Sequence, residues 1–233
     1  EHIGLRIARE LVGMGGAGFP THVKLAPKNP NDIRFVIANG AECEPYICCD
    51  DQLMRNYADE IVGGLKIMLT LFPNAEGVIL IEENKPEAIA AMEKACSGES
   101  NIRVHRVVPK YPQGGERAIM DVVAGKHIKL GMLPADVGCV VDNVATVRAI
   151  YRAVCKSEPL MERGFTVSGD AVKNPCNLIV KIGTGLDEML EAAGGFKDGE
   201  EPEKILGASA SIHGQTKAAA HTMAEKLRAK GAK

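Results

Sequence analysis

The sequence lacks several features that identify particular classes of protein. No run of about 18 apolar residues occurs, so we expect no segment that spans a membrane. No Cys-x-x-Cys pair occurs, so no iron–sulfur or zinc module is visible and we expect no bound metal. A net charge of -2 and the lack of a long basic block argue against nucleic acid as a partner.

Cysteine and aromatic residues set two further limits. The seven cysteines are odd in number and scattered, which argues against a secreted disulfide framework and favours reduced cytoplasmic thiols. Tryptophan is absent and aromatic residues make up only 4%, whereas glycines number 25, a balance that favours α/β architecture. The chain opens Glu-His-Ile-Gly, which resembles the middle of a helix and shows no signal peptide, so we expect a piece of a longer protein.

The pattern of apolar residues indicates an α/β fold. Strand-like runs and helical patterns alternate from Arg34 to Val154, which predicts a doubly wound, Rossmann-like parallel sheet. A short helix is predicted over 5–12, ahead of this region. The predicted strands are 34–38, 77–81, 102–108 and 138–141, and the predicted helices are 51–71, one capped by Asn84 with Pro86 in its first turn, 116–124 and 145–154.

The pattern changes after Arg163. Two predicted strands, 165–169 and 178–182, flank the turn residues 173–175, and a helix over 186–193 and a strand over 204–206 follow. Hairpin, helix and strand in this order indicate a small β-grasp (soluble-ligand-binding) domain. We therefore expect an α/β domain over 1–160, the β-grasp domain over 161–207, and a C-terminal loop and helix of uncertain origin over 208–233.

The tail 208–233 contains a pattern of its own. Ser211, Gly214 and Thr216 form Ser-x-x-Gly-x-Thr between a strand and a helix, which resembles the phosphate loop of a flavodoxin. The chain stops after that helix, far short of a flavodoxin domain. Either two pieces are joined here, or the likeness is chance and the segment is a docking helix with Ser211 or Thr216 near its N-cap.

Residues 13–18 form a glycine-rich loop, Gly-Met-Gly-Gly-Ala-Gly, ahead of the Phe-Pro-Thr corner at 19–21. Glycines let backbone N–H groups approach an anionic group and permit positive φ. Lys24 follows closely enough to pair with a phosphate. The loop is not a Gly-x-Gly-x-x-Gly dinucleotide fingerprint, because no strand precedes it and its spacing differs. On its own it is either a cradle for a phosphate or ring, or a tight turn without a ligand.

Three further motifs follow the loop in a fixed order. They are Asn39-Gly40-Ala41-Glu42-Cys43-Glu44-Pro45, Tyr111-Pro112-Gln113-Gly114-Gly115-Glu116 and Asp142-Asn143-Val144-Ala145-Thr146. With the loop first, the set resembles the flavin-carrying, NADH-binding subunit of respiratory complex I, and still more the C subunit of the Rnf electron transport complex. Three positions depart from the complex I pattern. Met14 replaces an Arg, and His22 replaces a Gly. Gly115 stands where the complex I subunit has a Glu that lies close to the nucleotide.

The resemblance implies FMN and NADH as cofactors and assigns contacts to the flavin. The residues that would line the isoalloxazine and nicotinamide space are Gly13, Gly15, Gly16 and Gly18. Lys24 and Asn39 would hold the FMN, and Tyr111 and Gly114 would flank its ring. Its ribityl phosphate would be bound by Asn143 and Thr146.

The same resemblance assigns residues to the nucleotide. Glu44 and Glu116 would face the NADH, and Phe19 would lie near the nicotinamide or adenine stack. Glu42 would contact one of the two ligands, and the resemblance leaves open which. The alternative for Glu42, Glu44 and Glu116 is that they are solvated loop carboxylates.

The activity that the resemblance implies is NADH:flavin oxidoreduction, as the electron-input module of an Rnf-type complex. Hydride transfer needs stacked rings in near contact rather than an acid or base, so we assign no catalytic residue. In the family, electrons continue to iron–sulfur clusters whose cysteine runs this sequence lacks, so those clusters would lie outside it. The partners would be other subunits of a membrane electron transport complex, and the location cytoplasmic, on the inner face of the cell membrane.

Two other functions stay open at this point. The chain could be a non-catalytic module that binds a ligand or another protein of a complex through the β-grasp domain. It could also be the electron-input part of a soluble reductase with the same flavin and a different acceptor. Bound flavin that is bleached by NADH would exclude the non-catalytic module. The sequence does not distinguish the electron-input part of a soluble reductase from an Rnf-type module.

Overall fold

The computed structural model describes residues 8–15, 18–129 and 131–198, together with the backbone of 205–208. The chain divides into two compact units. The first comprises residues 1–14, 18–43 and 50–160, and the second comprises residues 15–17, 44–49 and 161–233. Residues 5–7 of the helix expected over 5–12, and the phosphate-loop-like pattern and helix expected beyond residue 208, lie outside the described residues.

Four parallel strands form the sheet of the first unit. They are β1 (Phe35–Gly40), β2 (Glu76–Glu82), β3 (Ile102–Val107) and β4 (Cys139–Asn143), in the order β3-β2-β1-β4. β1 pairs in parallel with β2 on one side and with β4 on the other. Strands β1, β2 and β4 are apolar runs buried along nearly their whole length, as expected of a parallel sheet covered on both faces, and the sequence identified all four strands.

Helices connect these strands. Up to residue 160 they are α1 (Thr21–Lys24), α2 (Cys49–Asn56), α3 (Ala58–Leu69), α4 (Pro86–Cys96), α5 (Glu116–Ala124) and α6 (Val144–Lys156). Short 3-10 turns occur at Pro30–Asp32 and Pro134–Val137. Throughout the described part of the chain, every helix is too short or too polar to cross a lipid bilayer.

The helices cover both faces of the sheet, which confirms the doubly wound α/β fold class. Successive residues of a strand point to opposite faces. On one face, strand residues such as Val36, Ile79 and Val140 share a core with α3, α4 and α6. On the other, Ile37, Leu80 and Val141 pack with Ile119 and Met120 of α5.

The prediction of a single long helix over 51–71 is wrong, because the chain forms α2 and α3 with a break at Tyr57. Tyr57 has φ -133° and ψ 34°, which is not helical. The guanidinium of Arg148 stacks 3.7 Å from the centre of its ring and holds the side chain against α6. Buried apolar residues continue on both sides of the break, so the sequence pattern alone does not reveal it.

The prediction that Asn84 caps the next helix is also wrong. Lys85 occupies the N-cap position of α4, without a capping hydrogen bond from its side chain, and Pro86 begins the helix. Proline is pre-organised for the first helical position, and it keeps the residue before it out of helical geometry. Pro86 therefore sets the start of the helix without help from Asn84.

The second unit contains a three-stranded antiparallel sheet and one helix among its described residues. The strands are β5 (Glu162–Gly169), β6 (Cys176–Lys181) and β7 (Ile205–Ala208), in the order β6-β5-β7, and the helix is α7 (Leu186–Ala192). Phe165, Val167, Met189 and Leu190 are buried together between sheet and helix. The predicted hairpin, helix and returning strand are thereby confirmed.

Candidate functional site

The strand order identifies where a ligand would bind, which is the edge of the first sheet formed by the carboxyl ends of β1 and β4. From β1 the chain moves outward to β2 and β3, and then returns to place β4 on the other side of β1. The order therefore reverses between β1 and β4, and ligands of open α/β sheets bind outside the carboxyl ends of the strands at such a point. Asn39 and Asn143, from two of the sequence motifs, are register partners at the ends of these two strands.

The two ends of the glycine-rich loop are held together, and its start is tied to this edge. The amide of Gly13 donates to the carbonyl oxygen of Phe19 over 2.9 Å. The amide of Met14 donates to Oγ1 of Thr146, in the first turn of α6, over 3.0 Å. Gly18 has φ +67°, a conformation that glycine adopts without strain. Gly15 belongs to the second compact unit, and Gly16 lies outside the described residues.

Asn143 and Thr146 organise the start of α6. The side chain of Asn143 accepts a hydrogen bond from the amide of Ala145 over 2.8 Å, which is N-cap geometry. Its amide nitrogen donates to a carboxylate oxygen of Asp50 over 2.6 Å. Thr146 is completely buried. Their expected contact with the ribityl phosphate stays a prediction.

Lys24 reaches the same edge from the end of α1. Its Nζ donates to the carbonyl oxygen of Val141 over 2.9 Å. It also lies 3.6 Å from Oδ1 of Asp142 and 3.4 Å from Oε1 of Glu116. The ammonium group is thus held at the end of β4 while about a quarter of the side chain remains exposed.

Asp142 is a buried acid within the motif 142–146, and the sequence predicted no role for it in the site. Burial raises the pKa of its carboxyl group from the ordinary 3.8 to about 6, the nearby ammonium of Lys24 opposes this shift, and Glu116 adds to it. Its position as an acidic residue directly after the apolar run 139–141 was the available signal.

The segment 111–116 packs against the end of β1. Nδ2 of Asn39 donates to the carbonyl oxygen of Gly114 over 3.0 Å, and the amide of Gly114 donates to Sγ of Cys43 over 3.5 Å. A Cβ atom at Gly114 would lie 2.5 Å from the carbonyl oxygen of Ala41, so only glycine permits this approach. Asn39 therefore fixes this segment to the sheet edge through its amide side chain.

Glu42 serves as a helix cap in this structure. Its two carboxylate oxygens accept from the amides of Asp50, at 2.9 Å, and Asp51, at 3.2 Å, in the first turn of α2. Lys85 lies 3.5 Å from the same carboxylate. A carboxylate at a helix N-terminus satisfies free amides and interacts favourably with the helix dipole. Sequence reasoning missed this role, because it depends on a contact across a loop.

Four remaining predicted residues differ in their surroundings. Phe19 and Tyr111 are large side chains that are about half exposed or more. Half of the Glu116 side chain is exposed beside Lys24. Glu44 belongs to the second unit, so the structure does not relate it to this edge. Contacts of these residues with NADH or flavin stay predictions.

Family models match both parts of the chain. The model of the Nuo51 FMN-binding domain matches residues 8–152, and that of the SLBB domain matches residues 165–206. The fold resembles that of a crystal structure of an NAD+-reducing NiFe hydrogenase in the H2-reduced state, with a TM-score of 0.68 and 24% identity. That match covers 82% of this chain and 38% of the hydrogenase chain, and it supports the fold alone.

Curated relatives are C subunits of ion-translocating complexes. In Clostridium ljungdahlii, the C subunit of the proton-translocating ferredoxin:NAD(+) oxidoreductase complex is 44% identical over 206 residues, covering 88% of this chain and 44% of that protein. The Na(+)-translocating counterpart of Acetobacterium woodii is 40% identical over 196 residues, covering 84% of this chain and 44% of that protein. The corresponding C subunit of the ion-translocating oxidoreductase complex of Rhodobacter capsulatus is 42% identical over 208 residues, covering 88% of this chain and 40% of that protein.

The chain spans less than half the length of these relatives. The resemblance to the Rnf C subunit that the four motifs indicated is confirmed by them. Since the first family model covers well over half of the sequence, this protein belongs to the family of the Nuo51 FMN-binding domain.

Proposed function

We propose that this chain binds FMN at the edge between β1 and β4 and accepts a hydride from NADH, as the electron-input module of an Rnf-type complex. One observation carries the proposal. Hydrogen bonds join the four sequence motifs in two pairs, Met14 to Thr146 and Asn39 to Gly114. Pairing of β1 with β4 brings these pairs to one sheet edge, where Lys24 bonds to Val141. Segments far apart in sequence converge at the position where doubly wound folds bind nucleotides.

The residues present at this edge fit FMN. A Cβ on Gly18 would meet no described atom within 4 Å, so the loop offers open backbone to a ligand. Lys24 supplies a positive charge that is partly accessible. Phe19 and Tyr111 expose apolar rings that a planar ring system could cover. A charge, open backbone and uncovered aromatic rings are the groups that a phosphate-bearing flavin requires.

The residues of the site would contribute to hydride transfer by holding the ligands in position rather than by acid or base chemistry. When bound, FMN supplies the ring that takes a hydride and releases electrons singly. Lys24 and loop amides would offset the negative charge of bound FMN, and Asn39, which holds segment 111–116 at the sheet edge, would keep that segment in place for the ring. Asn143 and Thr146 keep the start of α6 and the loop in register. The remaining glycine-loop and acidic residues, Gly13, Gly15, Gly16, Glu44 and Glu116, would line the flavin and nucleotide space.

The electron route beyond the flavin would lie outside these residues. The relatives from Clostridium ljungdahlii and Acetobacterium woodii are named as subunits of ion-translocating ferredoxin:NAD(+) oxidoreductase complexes. By extension, NAD(H) would exchange electrons with the flavin here, and iron–sulfur centres outside this sequence would carry them onward. Other proteins of the complex would hold the chain at the inner face of the membrane.

An anaerobic absorbance titration tests the proposal. The purified chain is reconstituted with FMN and then titrated with NADH, and we expect saturable binding followed by bleaching of the flavin band. FMN binding without bleaching would retain the flavin site and reject the NADH contacts. A folded chain that binds no FMN would overturn the proposal.

Two variants connect that result to the site. Lys24→Ala combined with Asn143→Ala removes the ammonium group and the cap of α6, and should abolish flavin occupancy. Lys28→Ala, on the segment just after α1, is the matched control and should retain it. Unchanged occupancy in the double variant would count against the proposed site.

A second candidate function rests on the SLBB match over residues 165–206. In this alternative the second unit recognises a ligand or another protein of a complex, and the first unit holds no flavin. Ile179 and Ile182 are exposed apolar side chains in this unit and would take part in such recognition. A colourless, folded chain that FMN does not alter would favour this function.

A further inference from the structure

Asp142 is a buried acid for which hydride transfer provides no role. Only 2% of the residue is exposed, and neither carboxylate oxygen has a hydrogen-bond partner in the described part of the chain. An opposite charge is supplied by Lys24, whose Nζ lies 3.6 Å from Oδ1. A buried carboxylate that lacks hydrogen bonds is costly, so its charge depends strongly on that ion pair.

The ammonium group of Lys24 lies between the buried carboxylate of Asp142 and the exposed side of the sheet edge, where a ligand would bind. Its ammonium group is anchored by the carbonyl oxygen of Val141 and is partly exposed, whereas Asp142 is enclosed. Glu116, half exposed, lies 3.4 Å from the same nitrogen. An anionic ligand can therefore pair with Lys24 without touching Asp142, and the two would then compete for one positive charge.

We propose that Asp142 takes up a proton when FMN pairs with Lys24, so that binding of the cofactor is coupled to neutralisation of a buried carboxyl group. The proton comes from the solvent and is held on a carboxylate oxygen of Asp142. The negative charge that FMN brings is thereby partly offset by the negative charge that Asp142 loses. This inference rests on the proposed function, because it requires FMN at this edge.

The direction follows from the charges around Asp142. Burial holds its pKa near 6, with Lys24 of α1 lowering it and Glu116 of α5 raising it. A ligand anion that shares Lys24 weakens the lowering influence and adds repulsion of its own. The pKa of Asp142 then rises further, and proton uptake is greatest at a pH between the values before and after binding.

Calorimetry measures this uptake directly. FMN is titrated into the chain freed of cofactor, near neutral pH, in buffers that differ in ionisation enthalpy, and the slope gives the protons exchanged. The flavin phosphate titrates in the same range and contributes in every variant. The wild type should therefore take up a larger fraction of a proton than Asp142→Asn. Asp121→Asn, an exposed carboxylate on α5, is the matched control and should behave as the wild type.

The outcomes separate this inference from the flavin proposal. A wild-type chain that is folded and gives no binding heat or fluorescence change with FMN overturns both. FMN binding with the same proton exchange in wild type and Asp142→Asn overturns only the inference. If Asp142→Asn does not fold, infrared difference spectra of the wild type decide. A carbonyl band of a protonated carboxylic acid that appears on FMN binding supports the inference, and its absence overturns it.

Discussion

The amide of Met14 donates a 3.0 Å hydrogen bond to the hydroxyl of Thr146, 132 residues away in the sequence. Thr146 is completely buried in the first turn of α6, so this bond connects the glycine-rich loop to the rigid part of the domain. A loop of glycines is costly to order, because glycine loses more conformational freedom than any other residue. The bond therefore pre-organises the loop before a ligand arrives.

Thr146→Val should weaken FMN binding. Valine has nearly the shape of threonine but cannot accept from Met14, and a hydrogen bond of this kind contributes about 0.5–1.5 kcal/mol. We expect the dissociation constant to rise roughly 2- to 10-fold, measured by quenching of flavin fluorescence. Thr70→Val removes an exposed hydroxyl at the end of α3 and should leave the affinity unchanged. Equal affinities in the two variants would show that the loop needs no anchor.

Gly64→Ala should destabilise the first unit. A Cβ atom at this position would lie 2.0 Å from the backbone carbonyl oxygen of Val147, so α3 and α6 must separate. Alanine improves helix propensity by up to ~1 kcal/mol, but overpacking against backbone costs roughly 1–3 kcal/mol or more. We expect the clash to dominate and the free energy of unfolding in urea to fall. Gly98→Ala faces open space among the described atoms and should change that free energy little.

Glu42→Ala should lower stability through the loss of a cap. The carboxylate satisfies two amides in the first turn of α2, and its removal also takes a nearby negative charge away from Lys85. Loss of a helix N-cap costs about 0.5–2 kcal/mol, which denaturation by urea can measure. Glu93→Ala, which breaks an exposed ion pair with Arg106 in the middle of α4, is the control. If both variants unfolded alike, the cap would contribute nothing measurable.

The buried carboxyl of Asp142 should make stability fall as pH rises. Its folded pKa of about 6 exceeds the ordinary 3.8, so the folded state binds more protons than the unfolded state between these values. Above about pH 6 the full penalty applies, roughly 3 kcal/mol from the size of the shift. Asp142→Asn should therefore be more stable than the wild type at neutral pH.

The check is a series of urea denaturations of wild type and Asp142→Asn across this pH range. Because other groups titrate in both proteins, the difference between the two unfolding free energies is the relevant quantity. It should grow in favour of the variant from pH 3.8 to about 6 and then stay level. A constant difference would mean that Asp142 ionises normally in the folded chain.

The sequence predicted the elements of the sheet well because their signal is local. β2 is a continuous apolar run, and α5 was predicted with the bounds that the structure shows. The break at Tyr57 was missed because buried apolar residues occur on both sides of it, and the ring contact with Arg148 joins residues far apart in sequence. The cap of α4 was misjudged because Pro86 begins the helix unaided.

For the candidate site, the motifs located the segments but not their internal contacts. Lys24 and Asn39 were singled out from the sequence, and both lie at the sheet edge between β1 and β4. Asp142 was not, because its importance arises from burial and from a partner 118 positions earlier in the chain. The ligand contact predicted for Glu42 stays a prediction, and the sequence did not reveal that its two oxygens accept from amides of α2. Long-range pairing of this kind leaves no periodic trace in the sequence.

The sheet edge between β1 and β4 has a consequence for how the protein is made. Its central contacts, Met14 with Thr146 and Lys24 with Val141, join residues 132 and 117 positions apart. A chain still emerging from the ribosome has no such edge until β4 and the start of α6 have left the exit tunnel. Insertion of the proposed FMN would therefore be a late step of biogenesis, and an incompletely synthesised chain would lack the site.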